Sequence, residues 1–186
     1  MLRKKEVKII KPFLLKFKLN KFFPFLFLFV IGLTTVLSYF LSHQLTAQKT
    51  PVFHKVVHVL DGDTIEVDLN GQIERIRLIG IDAPEIAHLE KEAECFGDEA
   101  TQKAKELLAD ENVFLVSDPL CSDKDQYDRL LRYVYLEDGT LINQFLIEEG
   151  YALNYAYKPF QLMEQFDSLE KQAKQVHLGL WGKCDF

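Results

Sequence analysis

The fold is decided by VFHKVVHVLDGDTIEVDLNGQIERIRLIGI, residues 52–81, in which three β-branched runs alternate with two sets of turn formers. The runs are Val52–Leu60, Thr64–Leu69 and Gln72–Ile81. Asp61-Gly62-Asp63 separates the first two runs, and Asn70-Gly71, a strong hairpin signal, separates the second from the third. This stretch therefore predicts three antiparallel strands in a meander.

The chain beyond the meander adds two strands and three helices. Strand character returns at Asn112–Val116 and Leu130–Leu136, and apolar spacing predicts helices at Gly97–Ala109, Leu141–Glu149 and about Phe160–Val176. The order βββαββαα predicts an α+β fold, mainly β, in which a five-stranded barrel carries three helices. This is the oligonucleotide/oligosaccharide-binding (OB) fold, whose closed sheet removes edges that would otherwise aggregate.

The first fifty residues have a different composition. Phe22–Leu41 reads FFPFLFLFVIGLTTVLSYFL without one charged side chain, and a helix needs about 20 such residues to cross a bilayer. The residues before it are strongly basic, with Glu6 as their single acid, so the positive-inside rule keeps the N-terminus in the cytoplasm. We predict a cytoplasmic segment at 1–21, a transmembrane anchor at 22–42, a linker at 43–50 and an extracytoplasmic domain at 51–186.

A cleaved signal peptide is the alternative interpretation of this N-terminal region. Its apolar part runs only about 7–15 residues before a small-x-small cleavage site, which Leu45-Thr46-Ala47 matches poorly. Cleavage would release the domain as a secreted protein. Both interpretations place residues 51–186 outside the cytoplasm.

Charge and cysteine content restrict the function of the exported part. Residues 51–186 hold 13 basic and 27 acidic side chains, a formal net charge of −14. Such a surface argues against holding a long polyanion by a broad basic face, because non-specific nucleic-acid affinity comes mainly from neutralised phosphates. Cys95, Cys121 and Cys184 permit one disulfide in an oxidising compartment, with three possible pairings.

Acidic residues fall at two neighbouring strand ends, in Asp61-Gly62-Asp63-Thr64 and in Ile81-Asp82-Ala83-Pro84-Glu85. Calcium takes oxygen ligands from carboxylates, carbonyls and water, so Asp63 and Asp82 predict an open site that accepts a phosphate oxygen. An ordinary acidic turn is the alternative for the first segment taken alone. Arg77 and Arg129 flank the same predicted pocket, although surface ion pairs are the alternative for both arginines.

Six segments together make a specific pattern. LDGDT, IRLIGIDAPE, FGDEA, DQYDR, NYAYKP and GLW resemble, in order and approximate spacing, segments of staphylococcal nuclease and its thermonuclease relatives. The similarity covers about Phe53–Trp181. The chain is accordingly identified as a membrane-anchored member of that family, and the family's known residues can be matched to positions in this sequence.

The resemblance implies a calcium cofactor and a hydrolytic mechanism. Asp63, Asp82 and the backbone carbonyl of Ala83 match the family's calcium ligands. Glu85 matches the glutamate that activates or orients the attacking water. Two further family positions hold arginines that grip the phosphodiester with paired hydrogen bonds. These catalytic arginines correspond to Arg77 and Arg129.

The resemblance also assigns substrate-binding residues. Tyr127, Tyr155 and Tyr157 match tyrosines near the nucleotide, where an aromatic ring stacks a base for about 1–3 kcal/mol. Core packing is the alternative for each tyrosine. In staphylococcal nuclease the bond corresponding to Lys158-Pro159 is cis, so a cis peptide is expected here.

Three departures from the nuclease concern the same pocket. Ala83 replaces a threonine, Gln126 replaces a lysine, and Asp128 replaces a glycine beside the catalytic arginine. A backbone ligand survives the first change, whereas the other two make the pocket less positive. We therefore expect weaker, salt-sensitive binding and a preference for short or single-stranded substrates.

These observations predict a calcium-dependent extracytoplasmic nuclease that hydrolyses phosphodiester bonds of DNA or RNA and leaves 3′-phosphate ends. Product polarity follows from the resemblance alone. The alternative is a catalytically silent, nuclease-like binding module of the cell envelope, since a fold does not by itself imply activity. A third possibility is an envelope protein whose acidic domain binds calcium or a cationic partner. The sequence predicts no protein partner.

Overall fold

The computed structural model describes residues 23–45, 51–87 and 92–185. Two compact units divide the chain between Thr50 and Pro51. In the N-terminal unit a single described helix, α1, covers Phe23–Leu45. Within the described ranges no helix combines the length and the apolar character needed to cross a membrane. The anchor at 22–42 stays a prediction of the sequence, and residues 1–22 and 46–50, which include the cytoplasmic segment and most of the linker, lie outside the described residues.

The described part of the C-terminal unit contains seven strands. They are β1 (Phe53–Val59), β2 (Thr64–Leu69), β3 (Gln72–Leu78), β4 (Ile81–Asp82), β5 (Asn112–Val116), β6 (Leu130–Tyr135) and β7 (Leu153–Asn154). Five of them form a closed barrel in the order β1-β2-β3-β6-β5, and β4 pairs with β7 in a separate two-stranded sheet. The predicted five-stranded α+β barrel is confirmed.

The barrel closes through one parallel and several antiparallel pairs. β2 and β3 form the predicted hairpin, whose turn residues Asn70 and Gly71 both have positive φ, as a type I′ turn requires. β3 then pairs in parallel with β6, and β5 returns to β1. Inward-facing side chains that are at most 1% exposed fill the interior: Val56, Ile65, Val67, Ile76, Leu78, Val113 and Val134.

Four helices pack around the barrel, where the sequence predicted three. They are α2 (Gly97–Leu108), α3 (Ile142–Glu148), α4 (Met163–Gln175) and α5 (Leu180–Lys183). The fourth, α5, is a single turn, which is too short for apolar periodicity to reveal. It lies in the GLW segment and buries Leu180 completely.

The third predicted strand ends earlier than expected. Gly80 has φ +76, and a Cβ there would lie 2.6 Å from the Phe160 ring, so the chain turns before Ile81. Ile81 then pairs with Asn154, and Tyr155 donates its backbone N–H to the Gly80 carbonyl at 2.9 Å. The break places Asp82 beside the segment that carries Tyr155.

The prediction of a cis Lys158-Pro159 bond is wrong. All peptide bonds between described residues are trans. The trans isomer of an X-Pro bond is favoured by about 0.5–1 kcal/mol, so cis geometry needs a local constraint that a match of sequence motifs does not reveal.

Asp118, which is only 3% exposed, links three parts of the chain, one of them the segment that follows Tyr155 and Tyr157. Its carboxylate accepts hydrogen bonds from the Tyr133 hydroxyl at 2.6 Å, the Gln161 N–H at 2.7 Å and the Leu120 N–H at 2.8 Å. Burial alone would raise the pKa of Asp118, but these donors outweigh it and hold the pKa below its usual value.

Replacing Asp118 with asparagine is expected to lower the free energy of unfolding by about 2–4 kcal/mol at pH 7. Because the folded-state pKa is lowered, the charge contributes stability above about pH 4 and loses it as the pH falls further. Urea unfolding at pH 7 and at a pH below about 4 measures the effect. The gap between Asp118→Asn and wild type should shrink in acid, and a constant gap would contradict the prediction. Asp110→Asn, at a 96% exposed side chain, is the control.

The disulfide pairing left open by the sequence is Cys95–Cys184, and Cys121 is a free thiol. The bridge joins positions 89 residues apart. Closing so long a loop restricts the unfolded chain, and removing a native disulfide typically costs about 2–5 kcal/mol.

Replacing both Cys95 and Cys184 with serine should therefore lower Tm by roughly 10–20 °C. Differential scanning calorimetry of the full chain measures this shift. Cys121→Ser, which removes a thiol outside the bridge, is the matched control and should leave Tm nearly unchanged. An equal shift in both variants would show that thiol loss rather than loop closure matters.

Candidate active site

Asp63 lies in the turn between β1 and β2 and is 6% exposed. The turn is stabilised by the Asp61 carboxylate, which accepts the Asp63 N–H at 2.9 Å. One oxygen of Asp63 accepts the Thr64 hydroxyl at 3.0 Å, and the other accepts the Ala83 N–H at 2.9 Å. A Cβ on Gly62 would lie 2.5 Å from the Ala83 Cβ, so only glycine permits this approach.

Burial raises the pKa of Asp63 to about 7, and the nearby Asp61 carboxylate acts in the same direction. The Arg77 guanidinium opposes the rise, as do hydrogen bonds from Ala83 and Thr64. A carboxyl group held in this way is poorly solvated when ionised. Additional positive charge beside Asp63 would therefore stabilise its charged form.

Arg77 connects the two predicted metal-binding aspartates. Its Nη2 lies 2.9 Å from Asp82 Oδ1 and 3.1 Å from Asp63 Oδ2. Its Nη1 donates to the carbonyls of Leu78 at 3.0 Å and Ile81 at 2.7 Å. The Arg77 side chain is 12% exposed, so this guanidinium is held in one orientation.

Arg129 approaches the same site from the start of β6. Its Nε donates to Asp125 Oδ2 at 2.7 Å, and its Nη1 donates to the Thr64 hydroxyl at 3.3 Å. Thr64 in turn donates to Asp63, so a hydrogen-bonded path joins Arg129 to the buried aspartate. The structure therefore brings both arginines and both aspartates to one mouth of the barrel.

Asp125 and Thr64 are site residues that the sequence reasoning missed. Asp125 also accepts the backbone N–H groups of Tyr127 at 2.9 Å and Arg129 at 3.0 Å. Burial alone would raise the pKa of Asp125, but the bonds from Arg129 and Tyr127 outweigh it and lower the pKa. The four-residue spacing from Asp125 to Arg129 in DQYDR is the signal that could have identified this pair.

Asp128 departs from glycine at a position with φ 65, which disfavours most side chains but tolerates aspartate. Its carboxylate is 84% exposed and lies 3.0 Å from Lys124 Nζ. The lysine offsets part of the negative charge that Asp128 adds beside Arg129. The effect on the pocket is thus smaller than the sequence alone predicted.

Glu85 lies in the segment that follows β4, three residues after Asp82, and is half-buried. Its backbone N–H donates to Glu94 Oε2 at 3.1 Å, and its carbonyl accepts the Glu94 N–H at 2.9 Å. Glu94 is a third residue that sequence reasoning missed. No regular spacing in the sequence reveals contacts across such a loop.

The three predicted substrate tyrosines lie on the surface. Tyr127, Tyr155 and Tyr157 are 70%, 48% and 77% exposed, which excludes core packing. The rings of Tyr155 and Tyr157 stack at 6.1 Å between centroids with an interplanar angle of 17°. The Arg129 guanidinium lies 5.3 Å from the centre of the Tyr127 ring. The Tyr127 ring therefore contacts a residue of the arginine–aspartate site, and the Tyr155 and Tyr157 rings form a second exposed aromatic surface.

The donor chemistry of this site fits a hard divalent cation. Asp63 and Asp82 both contact one nitrogen of Arg77, so two carboxylates share a single positive charge, and Asp61 adds another negative group. Across the described part of the chain, no three or more His, Cys, Asp or Glu side chains group to hold a metal. The predicted site has only two carboxylates, and a carbonyl and waters would complete its set of oxygen ligands.

A closed barrel with paired carboxylates and two converging guanidinium groups fits a nuclease built on a barrel. The family model described as "Staphylococcal nuclease homologue" matches residues 75–183. The chain belongs to the staphylococcal nuclease family. Asp63 precedes the matched residues, and it joins the site through its contacts with Arg77 and Ala83.

Relatives cover most of the C-terminal unit. The thermonuclease of Staphylococcus hyicus is 35% identical over 69% of this chain and 75% of its own length. An uncharacterized endonuclease of Escherichia coli O157:H7 is 36% identical over 70% of this chain and 78% of its own length. An uncharacterized protein of Methanocaldococcus jannaschii is 32% identical over 69% and 71% of the respective chains. These relatives support a nuclease function.

Proposed function

We propose that this protein is a calcium-dependent nuclease that acts outside the cytoplasm and hydrolyses phosphodiester bonds of DNA, RNA or both. The observation that carries the proposal is the continuous set of contacts from Arg129 through Thr64 and Asp63 to Arg77 and Asp82. Two guanidinium groups able to bind a phosphate thus lie near two carboxylates able to bind a cation, which supports the proposal. A phosphodiester bound there would meet both.

Calcium would be held by Asp63, Asp82 and the Ala83 carbonyl. When bound, it supplies a Lewis acid that draws charge from a phosphate oxygen. Arg77 is already engaged with both aspartates, so its role is to orient them and to add positive charge at the phosphate. Arg129 uses Nε and Nη1 for bonds to described residues, which leaves Nη2 to donate to a phosphate oxygen.

Glu85 would accept the proton of the attacking water. Its segment begins at Asp82, whose carboxylate contacts Arg77 in the site, and this closeness along the chain supports the role. Attack in line with the leaving group would expel the 5′ oxygen and leave a 3′-phosphate end. That polarity is taken from the resemblance to staphylococcal nuclease.

Single-stranded nucleic acid is the substrate that the surface favours. The net charge of −14 over residues 51–186 would repel a long duplex, whereas the stacked Tyr155 and Tyr157 rings offer a base-stacking platform. Bases of a single strand are open to such stacking. The phosphate contacts offered by Arg77 and Arg129 should weaken as salt is added.

An oxidising location is supported by the Cys95–Cys184 disulfide, since structural disulfides persist outside the reducing cytoplasm. The apolar stretch at 22–42 would tether the protein to the membrane with its nuclease domain outside. Signal cleavage would release the same domain as a secreted enzyme. Both routes deliver the active site to external nucleic acid.

The calcium requirement is tested by replacing Asp63 with asparagine. We expect calcium affinity to fall by at least about 100-fold, because a buried anionic ligand is lost. Calorimetric titration of calcium into the full chain measures affinity, and cleavage of a single-stranded oligonucleotide with and without chelator measures dependence. Asp167→Asn, on the exposed face of α4, is the control.

Two outcomes would contradict the proposal. Cleavage that survives both chelator and Asp63→Asn would exclude calcium from the mechanism. Oligonucleotide binding by the wild-type chain without any cleavage would instead identify the catalytically silent binding module.

A further inference from the structure

Two reciprocal hydrogen bonds fix the backbone of Glu85. The Glu85 N–H donates to the Glu94 carboxylate at 3.1 Å, and the Glu94 N–H donates to the Glu85 carbonyl at 2.9 Å. Both backbone polar groups of Glu85 are therefore bonded to one residue nine positions later. Glu94 itself is exposed, so core packing does not hold it in place.

The start of α2 closes on the same backbone. Gly97 is the first residue of α2, and a Cβ there would lie 2.3 Å from the Glu85 carbonyl oxygen. Gly97 also donates its N–H to the Glu94 carbonyl at 3.0 Å. The helix end, Glu94 and Glu85 thus form one close-packed unit that a larger residue at 97 would separate.

The disulfide lies next to this unit along the chain. Cys95 directly follows Glu94 and is bonded to Cys184 at the end of α5. Helix α5 is held against the rest of the unit, because Leu180 is completely buried and donates its N–H to the Gly150 carbonyl at 2.8 Å. The bridge therefore ties an exposed glutamate to a helix fixed in the core.

We propose that Glu94 and the Cys95–Cys184 disulfide form a clamp that positions Glu85 for proton transfer, an inference that rests on the proposed nuclease function. Glu94 is a positioning residue, since it acts through Glu85 and not on the substrate. A displacement of about 1 Å in a reacting group costs on the order of 100-fold in rate. The clamp restricts such displacement at its two backbone contacts and at one covalent bond.

Three variants of the full chain test the clamp with the disulfide intact. Glu94→Ala removes the acceptor and should lower kcat by roughly 10- to 100-fold while KM changes by less than about threefold. Glu94→Gln keeps an acceptor oxygen and should restore most of kcat. Glu92→Ala, at an exposed glutamate two positions earlier, is the matched control and should behave as wild type.

Reduction tests the covalent part of the clamp. Cys95 is exposed, so a dithiol has access to the bridge below the unfolding temperature. Reduction should lower kcat as Glu94→Ala does, and reoxidation should restore it. Circular dichroism at the assay temperature confirms that the chain stays folded. If reduction unfolds it, the Glu94 variants and amide exchange at Glu85 decide the question.

Amide hydrogen exchange gives a readout that is independent of activity. The Glu85 amide should exchange faster in Glu94→Ala than in wild type, and Glu94→Gln should slow it again. If the wild type is active and Glu94→Ala leaves either kcat or the exchange rate of the Glu85 amide unchanged, the clamp is overturned and the proposed function still stands. A wild-type chain that cleaves nothing would overturn the proposed function and the clamp together.

Discussion

Replacing Glu85 with glutamine is expected to lower kcat for single-stranded oligonucleotides by about 10²- to 10⁴-fold, because a general base that removes a proton in the transition state contributes that much. Glutamine has the same size and keeps the backbone N–H that bonds Glu94. The local structure should therefore persist, and KM should change little. Steady-state kinetics with saturating calcium measure both constants.

The control for Glu85 is chosen from the same loop. Glu92→Gln removes an equal charge at an exposed position and should leave kcat unchanged. Full activity in Glu85→Gln would exclude this residue from proton transfer.

Replacing Arg129 with lysine is expected to lower kcat by about 10²- to 10³-fold, comparable to the loss of one donor to a transition-state oxyanion. Arg129 simultaneously bonds Asp125 and Thr64, and its remaining nitrogen faces no described acceptor. A lysine ammonium is a point charge and cannot reproduce this fork. Oligonucleotide cleavage measures kcat, and an uncleaved analogue measures binding.

Arg75→Lys provides the matched control for Arg129. Arg75 lies on β3 with a 64% exposed side chain and pairs only with Glu66 among described acids. This replacement should change kcat by less than about twofold, as is usual for surface ion pairs. Equal losses in both variants would mean that overall charge, not the Arg129 fork, supports cleavage.

The geometry also explains why an acidic protein can act on a polyanion. Arg77 and Arg129 bring two guanidinium groups to the mouth of the barrel, beside Asp63 and Asp82, the aspartates proposed to bind calcium. Lys124 offsets the acid that Asp128 introduces beside Arg129. The local field at such a site, rather than the net charge of the protein, decides binding. Salt should screen the interactions between exposed charges that lie farther apart than a Debye length.

The barrel strands, the hairpin at Asn70-Gly71 and the family of the chain could all be predicted from local patterns in the sequence. These features depend on residues that are neighbours along the chain, because alternation and turn preference act over a few positions. The same locality explains the errors. A one-turn helix at Leu180–Lys183 has no period to detect, and the break at Gly80 depends on the distant Phe160 ring.

Contacts between residues that are distant along the chain became known from the folded structure. It selected Cys95–Cys184 from three pairings, joined Arg129 to Asp63 through Thr64, and brought Glu94 to the backbone of Glu85. Each contact joins residues that lie on different strands or loops. The distance in space between these residues is set by barrel closure and by the β4–β7 pairing, which require all elements to pack at once.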